Sequence, residues 1–198
     1  MGCTEPICLA YAAAKAKEIL GILPNKVEIF ASGNIIKNVK SVIVPNTNGM
    51  KGIKASVAVG IIAGDPNKAL EVIANVTDEQ KIETQNFLDT TPISVHHINS
   101  DEQLDVTVKL FYDEHNASVR ISGFHTNIVS IQKDSNTIFE SNTISAPTKE
   151  LTDRSVLSVE GIYDFANSVD IEDIKDVIER QLKYNKAISE EGLNHNWG

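Results

Sequence analysis

Cysteine is scarce in this chain of 198 residues, which holds only Cys3 and Cys8. Two thiols five positions apart cannot make a disulfide framework, so no bridged extracellular scaffold is expected. Long apolar runs are missing too. Nothing approaches the roughly 20 residues that a membrane-spanning helix needs, and no charged-then-apolar signal segment opens the chain. Basic residues are outnumbered, with 18 Lys and Arg against 27 Asp and Glu, giving a formal net charge of -9. Without a basic stripe to neutralise phosphates, non-specific nucleic-acid binding is disfavoured. No phosphate loop occurs, because Gly60 and Gly64 lie in the wrong context for one, and no Gly-x-Ser-x-Gly elbow is present. No repeat or low-complexity tract interrupts the chain. The expectation is a cytoplasmic protein with neither nucleic acid nor membrane as a partner.

What remains is an ordinary globular composition, 41% hydrophobic and 23% charged, in a chain long enough for a real core. Residues 5–21 read as an Ala-rich helix, with Thr4 as a cap, Pro6 in the first turn and Gly21 and Pro24 closing it. Lys26 to Phe30 alternates as a strand, Ser32-Gly33-Asn34 is turn chemistry, and Ile35 to Val44 reads as strand or short helix, with Asn38 to Val44 leaning towards a strand. Pro45 to Gly52 is a glycine-punctuated loop able to offer backbone N–H groups to an anion. Ile53 to Ala63 is apolar almost all round, which predicts a buried helix. A further helix is expected over 67–75, and Thr77-Asp78-Glu79-Gln80 opens another by the capping-box pattern.

Five strand-like runs follow: Ile93–Ile98, Leu104–Asp113, Ala117–Gly123, Thr126–Lys133 and Thr137–Glu140. Asp113 to Asn116 and Lys133 to Asn136 serve as hairpin connections. Ser141 to Thr152 is the most linker-like stretch. Helices are predicted over Ser155–Asn167 and Ile171–Glu190. The fold class is α+β, with helices from both ends of the chain packed on a mostly antiparallel sheet. Residues 1–198 read as a single α+β fragment: a helical and mixed part over 1–90, antiparallel strands over 91–142 and C-terminal helices over 153–191. Both ends look like those of a piece of a longer protein.

Four places carry candidate chemistry. Cys3 stands at the mouth of a helix N-terminus, where unpaired N–H groups favour a thiolate; an inert capping-region residue is the alternative. Asn34, Lys37 and Asn38 are polar residues in an otherwise apolar stretch, and Lys37 suits a carboxylate unless it merely decorates a solvated edge. His125, Thr126 and Asn127 follow a strand end, as ligand contacts or as a plain polar turn. His96-His97 looks like a metal pair, but neighbours on a strand face opposite ways and cannot readily share an ion.

Taken together, Gly2-Cys3-Thr4-Glu5-Pro6-Ile7, Ser32 to Asn38, Pro45 to Gly52, Ile61 to Pro66, His125 to Ile128 and Ala187 to Leu193 resemble the L-cysteine desulfidases. They also resemble uncharacterised relatives of the iron–sulfur L-serine dehydratase alpha chain. The resemblance covers only the first half of such a protein. It implies a lyase with a [4Fe-4S] cluster that eliminates hydrogen sulfide or water from L-cysteine or L-serine, giving pyruvate and ammonia. An open cluster iron would act as Lewis acid on the leaving group. Cys3 would be either a cluster ligand or the base, with Glu5 beside it as a catalytic residue. Asn34, Lys37, Asn38, His125, Thr126 and Asn127 would hold the small amino-acid substrate. Cys8 departs from the family pattern and reads as a core cysteine.

The other cluster cysteines would lie in the missing C-terminal half, so this chain by itself is expected to hold no cluster and to be inactive. Apolar surface left by that half makes a homo-oligomer plausible. The competing expectation is a non-catalytic small-ligand-binding or interaction domain on the same scaffold. A pyridoxal-phosphate lyase ranks below both, since no Schiff-base lysine sits in a phosphate-binding setting.

Overall fold

A computed structural model describes residues 4–141 and 157–195. The chain divides into two compact units, Met1–Lys149 and Glu150–Gly198.

The first unit is α+β, in agreement with the sequence. Its helix α1 (Glu5–Leu20) ends at Gly21, whose φ of 82° is the left-handed closure that glycine adopts freely; its N–H donates to Lys17 O at 2.9 Å. Strand β1 (Lys26–Ser32) follows, then α2 (Gly33–Val39) and α3 (Gly52–Ala63). A 3-10 turn at Ala69–Glu71 precedes α4 (Asp78–Thr90). Strands β2 (Ile93–Ile98), β3 (Asp105–Tyr112), β4 (His115–Ser122), β5 (Ile128–Lys133) and β6 (Asn136–Glu140) follow.

The six strands form one sheet in the order β2-β1-β3-β4-β5-β6. Only β1 and β2 run parallel; the other neighbours are antiparallel. Registry follows the two-residue period. Val27, Ile29 and Ala31 of β1 face Leu110, Val108 and Val106 of β3, which in turn face Ala117, Val119 and Ile121 of β4. All nine are fully buried. They make the apolar face on which α1 lies, over β3 and β4.

Helix α3 packs against α1 through small residues. A Cβ placed on Gly60 would fall 2.3 Å from Ala10 O, so the two helix backbones touch where only glycine fits. The hydroxyl of buried Ser56 is satisfied by donating to Gly52 O at 2.9 Å. Helix α4 begins with the capping box read from sequence: Gln80 N–H donates to Thr77 Oγ1, and Thr77 N–H donates to Gln80 Oε1.

Two local expectations are corrected. Of the two readings open for Ile35 onwards the short helix forms, and it takes in Gly33 and Asn34, expected in a turn, and Asn38 and Val39, expected to lean towards a strand. Ile35 and Val39, four apart, both bury into the core, and that packing outweighs their β-branched preference. Residues 67–75 hold the 3-10 turn and further turns rather than an α-helix.

The second unit contains α5 (Val159–Ser168) and α6 (Ile171–Asn194). Ser158 Oγ accepts from Gly161 N–H, and Asp170 Oδ1 accepts from Glu172 N–H, so both helices start on side-chain caps. Neither helix contains a buried residue. Among the described residues, no helix is long and apolar enough to cross a membrane.

Candidate functional site

A cleft of about 370 Å³ opens at the end of the sheet where β1 finishes, β3 begins and β4 finishes. Four segments supply its lining: Glu5 from the first turn of α1, Asn34 and Ile35 from α2, Asp101 to Leu104 ahead of β3, and Gly123 with His125 after β4.

Each wall is fixed by local bonds. The 100–105 segment is held from two sides and by a bond of its own. Ser32 Oγ donates to Gln103 O at 2.6 Å, Gly123 N–H donates to Leu104 O at 2.9 Å, and Glu102 N–H donates to Ser100 Oγ at 3.2 Å. Below it, Asp105 is fully buried and receives Arg120 through both oxygens, Nε at 2.9 Å and a terminal guanidinium nitrogen at 2.7 Å. Ser100 Oγ adds a third donor at 2.7 Å. A bidentate guanidinium with an extra hydroxyl satisfies a carboxylate that burial would otherwise penalise. It also holds the Arg120 guanidinium pKa above its ordinary value, chiefly through its hydrogen bonds to Asp105.

The His125 wall is a tight loop. Gly123 takes a φ of 79°, Asn127 N–H donates to Phe124 O, and Asn127 Nδ2 donates to Ser122 O at 2.8 Å. The α1 wall joins it directly. Thr4 makes no side-chain cap on its own helix; its Oγ1 lies 2.9 Å from His125 Nε2. Asn38 Nδ2 donates to Glu5 Oε1 at 3.1 Å, tying α2 to α1.

The structure therefore brings together Glu5, Asn34 and His125 in the lining, with Asn38 one hydrogen bond behind. Lys37 and Thr126 are outside the lining, while the Asn127 side chain closes its own loop. Cys3 lies outside the described residues. Sequence reading missed Asp101, Glu102 and Gln103, a short polar run between two strands. Its only signal was an acidic pair just ahead of β3.

Cys8 is the core cysteine its helix position suggested. It is fully buried, and burial, with the nearby Glu5 carboxylate, pushes its thiol up to about 12. His96 stacks on Phe30 with ring centroids 5.0 Å apart, whereas His97 Nε2 lies beside Gly33. Among the described residues, no three His, Cys, Asp or Glu side chains converge to hold a metal ion.

Chemically, the cleft is an acid-lined recess in an α+β unit, with three carboxylates, two carboxamides and an imidazole. No Lys or Arg lines it among the described residues. The chain is similar along its whole length to proteins named UPF0597. It is 48% identical to one from Desulfitobacterium hafniense and 46% identical to one from Fusobacterium nucleatum, each match covering all of this chain and 46% of the relative. A third, from Finegoldia magna, is 45% identical over all of this chain and 48% of its own length. The chain thus spans about half the length of the relatives it matches. No family model matches it, and no solved structure does.

These relatives correct the family reading. Proteins that match this chain from end to end are named as UPF0597 proteins, not as L-cysteine desulfidases or iron–sulfur L-serine dehydratases. The assignment of the chain as the N-terminal part of an iron–sulfur lyase yielding pyruvate and ammonia falls with that resemblance. Short blocks such as Gly-Cys-Thr-Glu-Pro also serve as helix starts, and they carried more weight than blocks of that length can bear.

Proposed function

We propose that the first unit binds a small ligand bearing a protonated amine, of amino-acid size, in the acid-lined cleft. The observation that carries this reading is the lining itself, with Glu5, Asp101 and Glu102 around one recess and no cationic side chain among its described residues. Such a recess attracts a cation, and its volume suits a small molecule. The Asn34 and Gln103 carboxamides can donate to an oxygen on the same ligand, while Ile35 and Leu104 contribute an apolar floor. Asn38 fixes the Glu5 carboxylate and Thr4 fixes His125, so two of the polar groups are oriented before a ligand arrives. An enzymatic extension of this reading has Glu5 and His125 exchanging protons with the bound molecule. A cytoplasmic setting is supported by the two-cysteine composition and the free, buried Cys8.

The test is an amide-resolved NMR titration of the chain with L-alanine, ethylamine and acetate. The two amines should shift the signals of Asn34, Gln103, Gly123 and His125, and acetate should not. Glu5→Gln should weaken the amine response about tenfold, the loss expected for one charge-assisted hydrogen bond. A response to acetate alone, or none to either amine, would refute the reading.

A further inference from the structure

We infer that two copies of this chain associate through antiparallel pairing of α6. The helix is 24 residues long, contains no buried residue, and leaves Ile171, Ile178 and Ile188 exposed at 72%, 43% and 67%. Positions 171, 174, 178, 181, 185 and 188 recur at alternating spacings of three and four, the period of a helix–helix seam. They hold Ile, Ile, Ile, Gln, Asn and Ile.

This seam maps onto itself when the helix is reversed about a point between Glu179 and Arg180. Ile171 then meets Ile188 of the other copy, Ile174 meets Asn185, and Ile178 meets Gln181. A two-fold interface needs that self-complementarity. The two polar positions fall opposite isoleucines, at some cost in stability.

Charge selects the orientation. Residues 170–179 carry five acids and one lysine (net -4), and residues 180–189 carry Arg180, Lys183 and Lys186 with no acid (net +3). Antiparallel pairing lays the acidic stretch 171–179 of one helix along the basic stretch 180–188 of the other, and also opposes their dipoles. Parallel pairing would stack like on like. A second copy therefore fits this face in both its apolar spacing and its charge.

The test is the mass of the intact chain in solution by light scattering across a concentration series. Wild type should approach twice 21.6 kDa as concentration rises. Ile174→Glu with Ile178→Glu should remove the dimer, with helicity by circular dichroism confirming that the chain remains folded. Lys183→Glu with Lys186→Glu, on the charged side, should weaken dimerisation at least tenfold; a parallel pair would exchange one like-charge contact for another and hardly change. A monomer at every concentration, a dimer that survives the isoleucine changes, or one indifferent to the lysine changes overturns the inference.

Discussion

Helices α1 and α6 come from one chain and bury themselves in opposite ways. α1 has 16 residues, ten of them buried, and its apolar residues lie all round the cylinder. α6 has 24 and buries none, with its apolar residues gathered on one side. The contrast teaches that the distribution of apolar side chains around a helix, more than their number, records how many neighbours it has. An all-round helix needs covering on several faces, and α1 receives it from the sheet and α3. A one-sided helix needs a single partner.

The comparison breaks most readily at Gly60. Gly60→Ala drives a methyl group towards Ala10 O, 2.3 Å away, and the α1–α3 contact must open. We expect a loss of about 3 kcal/mol or more in unfolding free energy, measured by urea denaturation, since overpacking costs of this kind reach that range. A loss under about 1 kcal/mol would mean that α1 is not held between tight neighbours. A somewhat smaller effect is expected from Arg120→Met, which leaves the buried Asp105 carboxylate with Ser100 as its remaining side-chain donor. Breaking such a pair costs about 3–5 kcal/mol when both partners are enclosed. Arg120 is 44% exposed, so water replaces part of the loss and about 2 kcal/mol is the expected figure. Asp105→Asn should be partly tolerated in the same assay, because the carboxamide keeps an oxygen for Arg120.

The smallest effect sharpens the comparison from the inside of α1. With its thiol pushed up to about 12, Cys8 is almost wholly protonated at pH 8 and shielded from reagents. Iodoacetamide at that pH should leave Cys8 unmodified in native protein and label it once the chain is unfolded, as fragment mass spectrometry would show. Labelling of native Cys8 at the rate of a free thiol would mean that α1 opens readily.

Much of the fold was legible in the residues. β2 to β6 announced themselves by alternation and hairpin residues, α4 by its capping box, and α3 by a surface apolar almost all round. Where the reading stayed open, distant packing decided. Ile35 to Val44 reads locally as strand or short helix, and α2 forms because Ile35 and Val39 reach the core from one helical face. The cleft was half legible. Asn34 stood out as a polar residue in an apolar stretch and His125 at a strand end, whereas Glu5 read locally as an acid at a helix start and was tied to chemistry only by the overturned resemblance. Asp101 to Gln103 did not, because a polar link between strands looks the same whether or not it faces a recess. The Thr4–His125 contact joins positions 121 apart, and no local pattern signals a bond of that separation.

The sheet order has one more consequence, for synthesis. α1 leaves the ribosome before the surface it lies on, since β3 starts only at Asp105. At roughly 5–20 residues per second, the intervening chain takes on the order of ten seconds to make. Within that interval α1 gains α3 to pack on but not the sheet face it covers, and β1 waits for partners supplied by later strands. The helix that buries ten residues in the native fold thus keeps its sheet-facing side open to a chaperone for that interval.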